Sequence, residues 1–270
     1  TDQLEAMLEL AAKGKDFDKV YDDFSSYQRE AFSKIDVKEE LNHIAKLLKG
    51  VSLTGDYSRK TKDELLSFGE LISGKVITSL LVESGLKAQL VDSRKLIKTD
   101  DTFNDAEVDE PVSKENVIRY FQALDADVVP IITGFIASNK EGETTTLGRN
   151  GSNYSAALLA NFLDAQELVN YTHVDGIFTA NPDLVPEAKL IRSISYAEAN
   201  ELANFGATIL HAKTIIPLLE KNIPLRILNT FNKKNEGTLI GAETENGGIK
   251  SLSVLEHVAL INLEGRGLLG

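Results

Sequence analysis

The sequence contains no cysteine and only four histidines. The absence of cysteine excludes disulfide bonds, thiolate chemistry and metal sites built on sulfur. The histidines lie scattered at positions 43, 173, 211 and 257, and they show no metal-ligand spacing such as H-x-x-x-H. We therefore expect no metal site formed by the protein itself.

Clustered basic residues and long apolar runs are also missing. The 270-residue chain has 29 Lys and Arg against 41 Asp and Glu, a formal net charge of −12. This balance argues against nucleic acid and anionic membranes as partners, because both attract clustered cations. No apolar stretch approaches the roughly 20 residues of a membrane span, and no signal segment opens the chain. A cytoplasmic protein is the expectation.

The sequence does contain an alternation of strand and helix patterns after a helical first third. Apolar residues recur at helical spacing from Leu4 and across 16–34 and 37–49. Short β-rich runs follow at 87–91, 127–135, 166–172 and 224–228. Helical segments lie between them at 114–124, 153–164, 195–205 and 211–221. This alternation predicts an α/β fold with a mainly parallel sheet and helices on both faces.

Local signals predict where some of these elements begin. Capping boxes are indicated at 61–64 and at 195–198, and Ser113 is a candidate cap for the segment 114–124. The acidic stretch 98–113 has few apolar residues, so it is predicted to be a surface loop.

The stretch TTTLGRNGSNYSAALLA at 144–160 leads from a β-branched run into a helical segment. Gly148 and Gly151 permit backbone conformations that let several N–H groups point at one spot. The helix adds unpaired N–H groups and its positive dipole end, with Ser152 or Asn153 as natural N-caps. Arg149 can bind a carboxylate or phosphate through two hydrogen bonds. These features predict an anion site; the alternative is an ordinary tight turn with a solvated arginine.

This stretch resembles the substrate-binding signature of aspartokinases, which are members of the amino-acid kinase family. Further segments resemble that family in the same order: SFGELIS (67–73), THVDGIFTANPDLV (172–185), SYAEANELANFGATILHAKTIIPL (195–218) and PLRILNTFNKKNEGTLIG (224–241). The segment GRNGSNYSAALLA is most similar to the kinase part of bifunctional aspartokinase–homoserine dehydrogenases. Residues 254–270 resemble the opening of an ACT domain.

The resemblance implies a three-layer α/β/α amino-acid kinase fold, followed by the start of an ACT-type α+β regulatory domain. We place the catalytic domain at 1–244 and a linker with the ACT start at 245–270. Aspartokinases begin with a first strand and a Lys-Phe-Gly-Gly segment that holds the transferring phosphate, and 1–50 contains nothing similar. We therefore expect the chain to lack that segment and these residues alone to have no kinase activity.

The resemblance also implies a reaction, in which ATP with Mg²⁺ phosphorylates the β-carboxylate of L-aspartate for threonine, methionine and lysine biosynthesis. The acceptor is already ionised at neutral pH, so positioning and positive charge should provide the catalysis. A degenerate module that binds aspartate or an effector, and a kinase of a related acceptor such as glutamate, remain alternatives. Further implied partners are a second copy of the chain, a feedback amino acid (threonine or lysine) and a fused homoserine dehydrogenase.

By similarity, the aspartate pocket comprises Glu70, Gly148, Arg149, Gly151 and Ser152. Arg149 would grip the α-carboxylate and Glu70 would pair with the α-ammonium. Without the resemblance, Glu70 would be interpreted as a helix-surface carboxylate. The predicted catalytic residues are Arg149 and Asn153, where Asn153 occupies a position that is usually Asp in the family.

The nucleotide contacts implied by the resemblance are Thr172, His173, Phe178, Asp183 and Thr208. Three of these depart from the family pattern, because His173 replaces Asp, Asp183 replaces Arg and Thr208 replaces Lys. These three replacements either redistribute the charge of a functional nucleotide site or have accumulated by evolutionary drift in a weakened nucleotide site. Phe178 is predicted to stack on adenine or to pack in the core. His211 is expected to cap or pack at a helix start, since no nucleophile accompanies it.

Overall fold

The computed structural model describes residues 1–31, 35–204, 212–242 and 251–252. The chain divides into two compact units, Thr1–Ala165 and Gln166–Gly270. The domain boundary predicted near 244 lies outside the described residues, and so does all of the predicted ACT-like segment 245–270 except 251–252.

The first unit begins with four helices: α1 Asp2–Ala12, α2 Asp18–Ala31, α3 Lys38–Thr54 and α4 Arg59–Glu83. Their apolar residues recur at helical spacing, so each helix presents one apolar face to its neighbours. These faces enclose a core that includes Leu4, Leu8, Leu41, Ile44 and Leu65. The helical first third predicted from the sequence is confirmed.

Helix α4 begins three residues earlier than its predicted cap. The N-cap is Ser58, whose Oγ accepts a hydrogen bond from the backbone N–H of Thr61 at 3.1 Å. The capping box predicted at 61–64 is therefore wrong, because Thr61 already lies in the first turn.

Among the described helices, α4 alone is long and apolar enough to meet the length and composition of a membrane span. No such run was expected from the sequence, since Glu70 and Lys75 interrupt it. The helix contacts α1 and α3 and carries a fully buried carboxylate, Asp63. We attribute its apolar character to its place in the core of this unit.

The rest of the first unit is α/β. Its strands are β1 Ala88–Val91, β2 Val129–Ile132, β3 Ile136–Ser138 and β4 Thr144–Thr146, and its helices are α5 Glu110–Ala123 and α6 Gly151–Phe162. Strand β1 pairs parallel with β2, and β3 pairs antiparallel with β4. Asp109, not Ser113, caps α5 by accepting a hydrogen bond from the N–H of Val112 at 3.3 Å. Ser113 is buried within the helix.

In its described residues, the second unit contains a four-stranded sheet with two helices. The strands are β5 Leu168–Thr172, β6 Ser193–Ser195, β7 Leu225–Asn229 and β8 Thr238–Gly241, in the order β5-β7-β8-β6, and the helices are α7 Tyr196–Asn204 and α8 Ala212–Glu220. Strands β5 and β7 are parallel, as are β6 and β8, whereas β7 and β8 are antiparallel. The capping box at 195–198 is confirmed, because the N–H of Glu198 donates to Ser195 Oγ at 3.2 Å and the N–H of Ser195 donates to Glu198 Oε2 at 2.9 Å. The α/β class with mostly parallel pairing is confirmed.

Candidate functional site

A cavity of about 500 Å³ lies in the first unit, between the amino-terminal end of α6 and the helices α1 and α4. It brings together the predicted pocket and catalytic residues of this unit: Glu70, Gly148, Arg149, Gly151, Ser152 and Asn153. Other lining residues that sequence reasoning missed include Glu5, Lys62, Asn104, Phe135 and Thr146.

The turn between β4 and α6 requires glycine at two positions. Gly148 has φ +74°, and a Cβ there would collide with the carboxylate of Asp105. A Cβ at Gly151 would lie 2.8 Å from Cδ2 of Phe135. Glycine therefore lets this turn, which carries the lining residue Arg149, run close against its neighbours.

Helix α6 begins two residues before its predicted start. Its N-cap is Asn150, with φ +57° and no side-chain capping bond. Ser152 and Asn153 were predicted as N-caps, and this is wrong, because the left-handed conformation of Asn150 starts the helix earlier. Both residues lie in the first turn of α6 instead.

The first turn of α6 presents free backbone donors. The N–H of Gly151 bonds to the carbonyl of Gly148 at 3.1 Å, and that of Tyr154 bonds to Asn150 at 3.0 Å. Within the described ranges, no group accepts a hydrogen bond from the N–H of Ser152 or Asn153. These donors, together with the positive end of the helix dipole, favour an anion at the cavity wall.

Arg149 and Glu70 are two charged residues of opposite sign among those that line this cavity. Arg149 is exposed, Glu70 is half-buried, and neither forms an ion pair with any residue that the structure describes. Burial raises the pKa of Glu70 above its usual value. An unpaired guanidinium and an unpaired carboxylate in one cavity suit a ligand that carries both charges.

The loop from 98 to 109 forms part of the site and is not the plain surface loop that its composition predicted. Its Ala106 is buried, and the Ala106 N–H donates to the carbonyl of Thr146 at 2.9 Å. Asp100 accepts hydrogen bonds from the N–H groups of Thr102 and Glu107 at 3.1 and 2.9 Å. The acidic residues therefore organise the loop internally, which their composition alone does not reveal.

Another site-forming contact joins Lys62 of α4 to Glu5 of α1. The two side chains form an ion pair at the cavity, and the hydrogen bond to Glu5 raises the pKa of Lys62. Lys62 lies two helical turns before Glu70 on α4, so the helical period was the signal that could have placed both at one cavity.

In the second unit, Thr172 and His173 lie where β5 ends. Thr172 is paired with Asn229 at the end of the parallel strand β7, and the N–H of Thr230 donates to the carbonyl of Thr172 at 2.8 Å. His173 is exposed, with Nδ1 3.5 Å from Oγ1 of Thr172. Ligands of α/β proteins commonly bind at such carboxyl ends of parallel strands.

The loop after β5 is held by a residue that sequence reasoning missed. The carboxylate of Asp175 accepts hydrogen bonds from Nδ2 of Asn229 at 2.7 Å and from Nδ2 of Asn232 at 3.0 Å. The hydrogen bond from Asn229 is the main cause of the lowered pKa of Asp175. The Asp-Gly pair at 175–176 was the available signal, since such pairs mark turns.

The remaining predicted nucleotide contacts lie further along this loop. Phe178 is half-buried, and its carbonyl accepts a hydrogen bond from Ser251 Oγ at 2.8 Å. Asp183 is exposed on a turn that is closed by its own N–H donating to Asn181 Oδ1 at 3.0 Å. Thr208 and His211 lie outside the described residues.

Comparison with known proteins assigns the family. A sequence model of the amino acid kinase family matches residues 29–229. The chain belongs to the amino acid kinase family. A solved member of this family, Escherichia coli aspartokinase III in complex with aspartate and ADP, superposes with a TM-score of 0.83 at 34% identity over 90% of this chain and 56% of that one.

Two curated relatives of the chain are aspartokinases, so the predicted resemblance is confirmed. The bifunctional aspartokinase/homoserine dehydrogenase of Buchnera aphidicola is 36% identical over 244 residues, which are 89% of this chain and 30% of the relative. Lysine-sensitive aspartokinase 3 of Escherichia coli is 34% identical over 280 residues, covering 100% of this chain and 61% of the relative. The chain thus spans less than two thirds of either relative.

Proposed function

We propose that the protein to which this chain belongs transfers the terminal phosphoryl group of ATP to the β-carboxylate of L-aspartate. The observation that carries the proposal is that Arg149 and Glu70 line one cavity beside the amino-terminal end of α6. Neither residue has an ionic partner among the described residues. An α-amino acid has one carboxylate and one ammonium, which match these two side chains. The relative solved with aspartate and ADP supports the same substrates.

The cavity can orient aspartate through three kinds of contact. Arg149 binds the α-carboxylate, Glu70 binds the α-ammonium, and the free N–H groups of Ser152 and Asn153 favour negative charge near the helix. The β-carboxylate has a reference pKa of about 3.9, so it is ionised at neutral pH and attacks without losing a proton. Asn153 therefore needs only to hydrogen-bond, and its replacement of the usual Asp is compatible with catalysis.

We assign the nucleotide to the second unit, at the carboxyl end of β5. The candidate contacts are Thr172, His173, Phe178, Asp183 and Thr208. Mg²⁺ enters with ATP as part of the co-substrate, since Mg²⁺ is commonly held by substrate phosphates and few protein groups. The part of the chain that the structure describes contains no group of three or more His, Asp or Glu that could hold a metal ion.

A non-catalytic module that binds aspartate or an effector is the second candidate. It is favoured by Asp183, an exposed carboxylate on the loop where the family pattern has an arginine. A negative charge there would oppose phosphate.

We extend the proposal to the pathway, the location, the assembly and the regulation of the protein. We place it in threonine, methionine and lysine biosynthesis in the cytoplasm, in a homo-oligomer with feedback by threonine or lysine. One solved relative contains both lysine and aspartate, which supports amino-acid regulation in that protein. Fusion to homoserine dehydrogenase occurs in the Buchnera relative, and we extend the proposal to such a fusion in this protein.

Calorimetric titration and a phosphorylation assay of the full-length gene product test the proposal. We expect aspartate and MgATP both to bind, and aspartate to be phosphorylated faster than glutamate. The contrast with glutamate is modest, because one methylene is worth only about 1–3 kcal/mol in a pocket. Binding of aspartate without MgATP would favour the non-catalytic candidate, and a faster reaction with glutamate would reassign the acceptor.

A further inference from the structure

Asp63 is a carboxylate buried completely in the second turn of α4. Its Oδ1 accepts hydrogen bonds from Nδ2 of Asn104 at 2.5 Å and from Oγ1 of Thr146 at 2.7 Å. Its Oδ2 accepts from the backbone N–H groups of the same two residues, at 2.9 Å from Asn104 and 3.0 Å from Thr146. Each oxygen therefore has two donors.

All four hydrogen bonds to Asp63 come from neutral donors. No Lys, Arg or His in the described ranges forms an ion pair with it. Burying an ionised carboxylate is costly unless hydrogen bonds replace its hydration, and bonds to an ionised acceptor are strong and directional. The four bonds therefore tie α4 firmly to two separate segments of chain.

Both segments lead directly to the cavity. Asn104 and Thr146 line it, and Thr146 ends β4 just before the turn of Gly148 and Arg149. Asn104 has φ +74°, and the next residue, Asp105, packs against Gly148. The carboxylate of Asp63 thus holds the turn from the β4 side and, through the loop, from the side of Asp105.

We propose that Asp63 is a positioning residue for the amino-acid substrate: it locks Asn104 and Thr146 so that the turn carries the Arg149 guanidinium into the cavity. This inference rests on the proposed function, because it assumes that the cavity binds aspartate. Asp63 does not line the cavity and acts only through the groups that it holds.

The main test is Asp63→Asn in the full-length gene product. The amide keeps the shape of the side chain, but its NH₂ group would face two donors that now bond to a carboxylate oxygen. We expect the Kd and KM for aspartate to rise about tenfold or more, because small displacements of a binding group have large effects. The Kd for MgATP should change less than about twofold. The matched control is Glu64→Gln, the same change at the neighbouring position, which should leave both ligands unaffected.

A milder pair of variants covers the case in which Asp63→Asn fails to fold. Thr146→Val removes the hydroxyl bond to Asp63 while keeping the β-branched shape, and Thr146→Ser retains the hydroxyl. We expect Thr146→Val to raise the Kd for aspartate several-fold and Thr146→Ser to restore most of the affinity.

The outcomes separate this inference from the proposed function. If Asp63→Asn or Thr146→Val binds aspartate as the wild type does, the positioning role is refuted. Equal losses for aspartate and MgATP would also overturn it, since a merely structural role acts on the whole fold. If the wild type itself binds no aspartate, the proposed function fails first and the inference fails with it.

Discussion

The cavity of the first unit and the loop after β5 in the second unit differ in how their charges are arranged. The cavity holds Arg149 and Glu70 without ionic partners in the described structure, beside a glycine turn held by Asp63. The loop 173–185 contains no lysine or arginine. Its Asp175 is instead bonded to asparagines. The cavity therefore offers a ligand two charges of opposite sign that have no ionic partner among the described residues, whereas the loop offers backbone groups, neutral side chains and the exposed carboxylate of Asp183.

This difference is consistent with the two ligands that we propose. A small zwitterion needs two charges at fixed positions, because its orientation decides which carboxylate reacts. A nucleotide brings Mg²⁺, which neutralises part of the phosphate charge by itself. The residues His173 and Asp183, which differ from the family pattern, thus lie in the second unit. There we expect charged protein side chains to matter less for ligand binding, because Mg²⁺ neutralises part of the phosphate charge.

Replacing Arg149 tests most directly whether the cavity and the loop after β5 bind different ligands. Arg149→Ala should lower the affinity for aspartate on the order of 100-fold, since hydrogen bonds to charged groups contribute about 1.5–3 kcal/mol. The affinity for MgATP should change little. Titration calorimetry with each ligand measures both, and Arg119→Ala, which removes an exposed arginine paired with Glu115 outside the cavity, is the control. Unchanged aspartate affinity would show that the guanidinium is merely solvated.

Replacing Glu70 should have a smaller effect with a distinctive dependence on pH. Glu70→Gln removes the charge that pairs with the α-ammonium, and we expect roughly tenfold weaker aspartate binding at neutral pH. Because burial raises the pKa of Glu70 above 4.5, wild-type affinity should fall as the pH is lowered through that raised value. The affinity of the variant should stay flat over the same range of pH, and titrations at several pH values measure this.

The same substitution should stabilise the fold. A raised carboxyl pKa means that the folded protein binds the proton more tightly than the unfolded chain, so stability declines as the pH rises from 4.5 through the raised pKa. Glu70→Gln should therefore melt at a higher temperature than wild type at neutral pH, and this advantage should vanish below 4.5. A lower melting temperature at neutral pH would contradict the assignment.

Placing an arginine at position 183, where the family pattern has one, should have the smallest effect on ligand affinity. Asp183→Arg should raise the affinity for MgATP roughly two- to fivefold, since an exposed charge contributes at most about 1 kcal/mol. The gain should shrink at high salt because such charges are screened. Glu187→Arg, an equal change of charge on an exposed neighbour, is the control. Equal gains in both variants would mean general attraction, with no specific role for position 183.

Local patterns predicted most elements but placed several ends wrongly. The strand predicted at 87–91 forms at 88–91, and the capping box of α7 was predicted correctly, because each signal lies in residues close in sequence. The starts of α4, α5 and α6 were not, since several residues in each stretch can cap a helix. Which of them does so depends on the surrounding packing, as with Ser113, whose hydroxyl bonds to the main chain of Lys98.

The glycine turn around Arg149, the helical periods of the first third and the charges available to a ligand can all be predicted from the sequence, because they follow from residue type and short spacing. The shared cavity of Glu70 and Arg149, and the hydrogen bonds of Asp63 to residues 41 and 83 positions away, result from the folding of distant segments against each other. A hydrogen bond depends on distance in space and on burial. Neither is encoded in a local pattern, so this part of the site became visible only when the chain was folded.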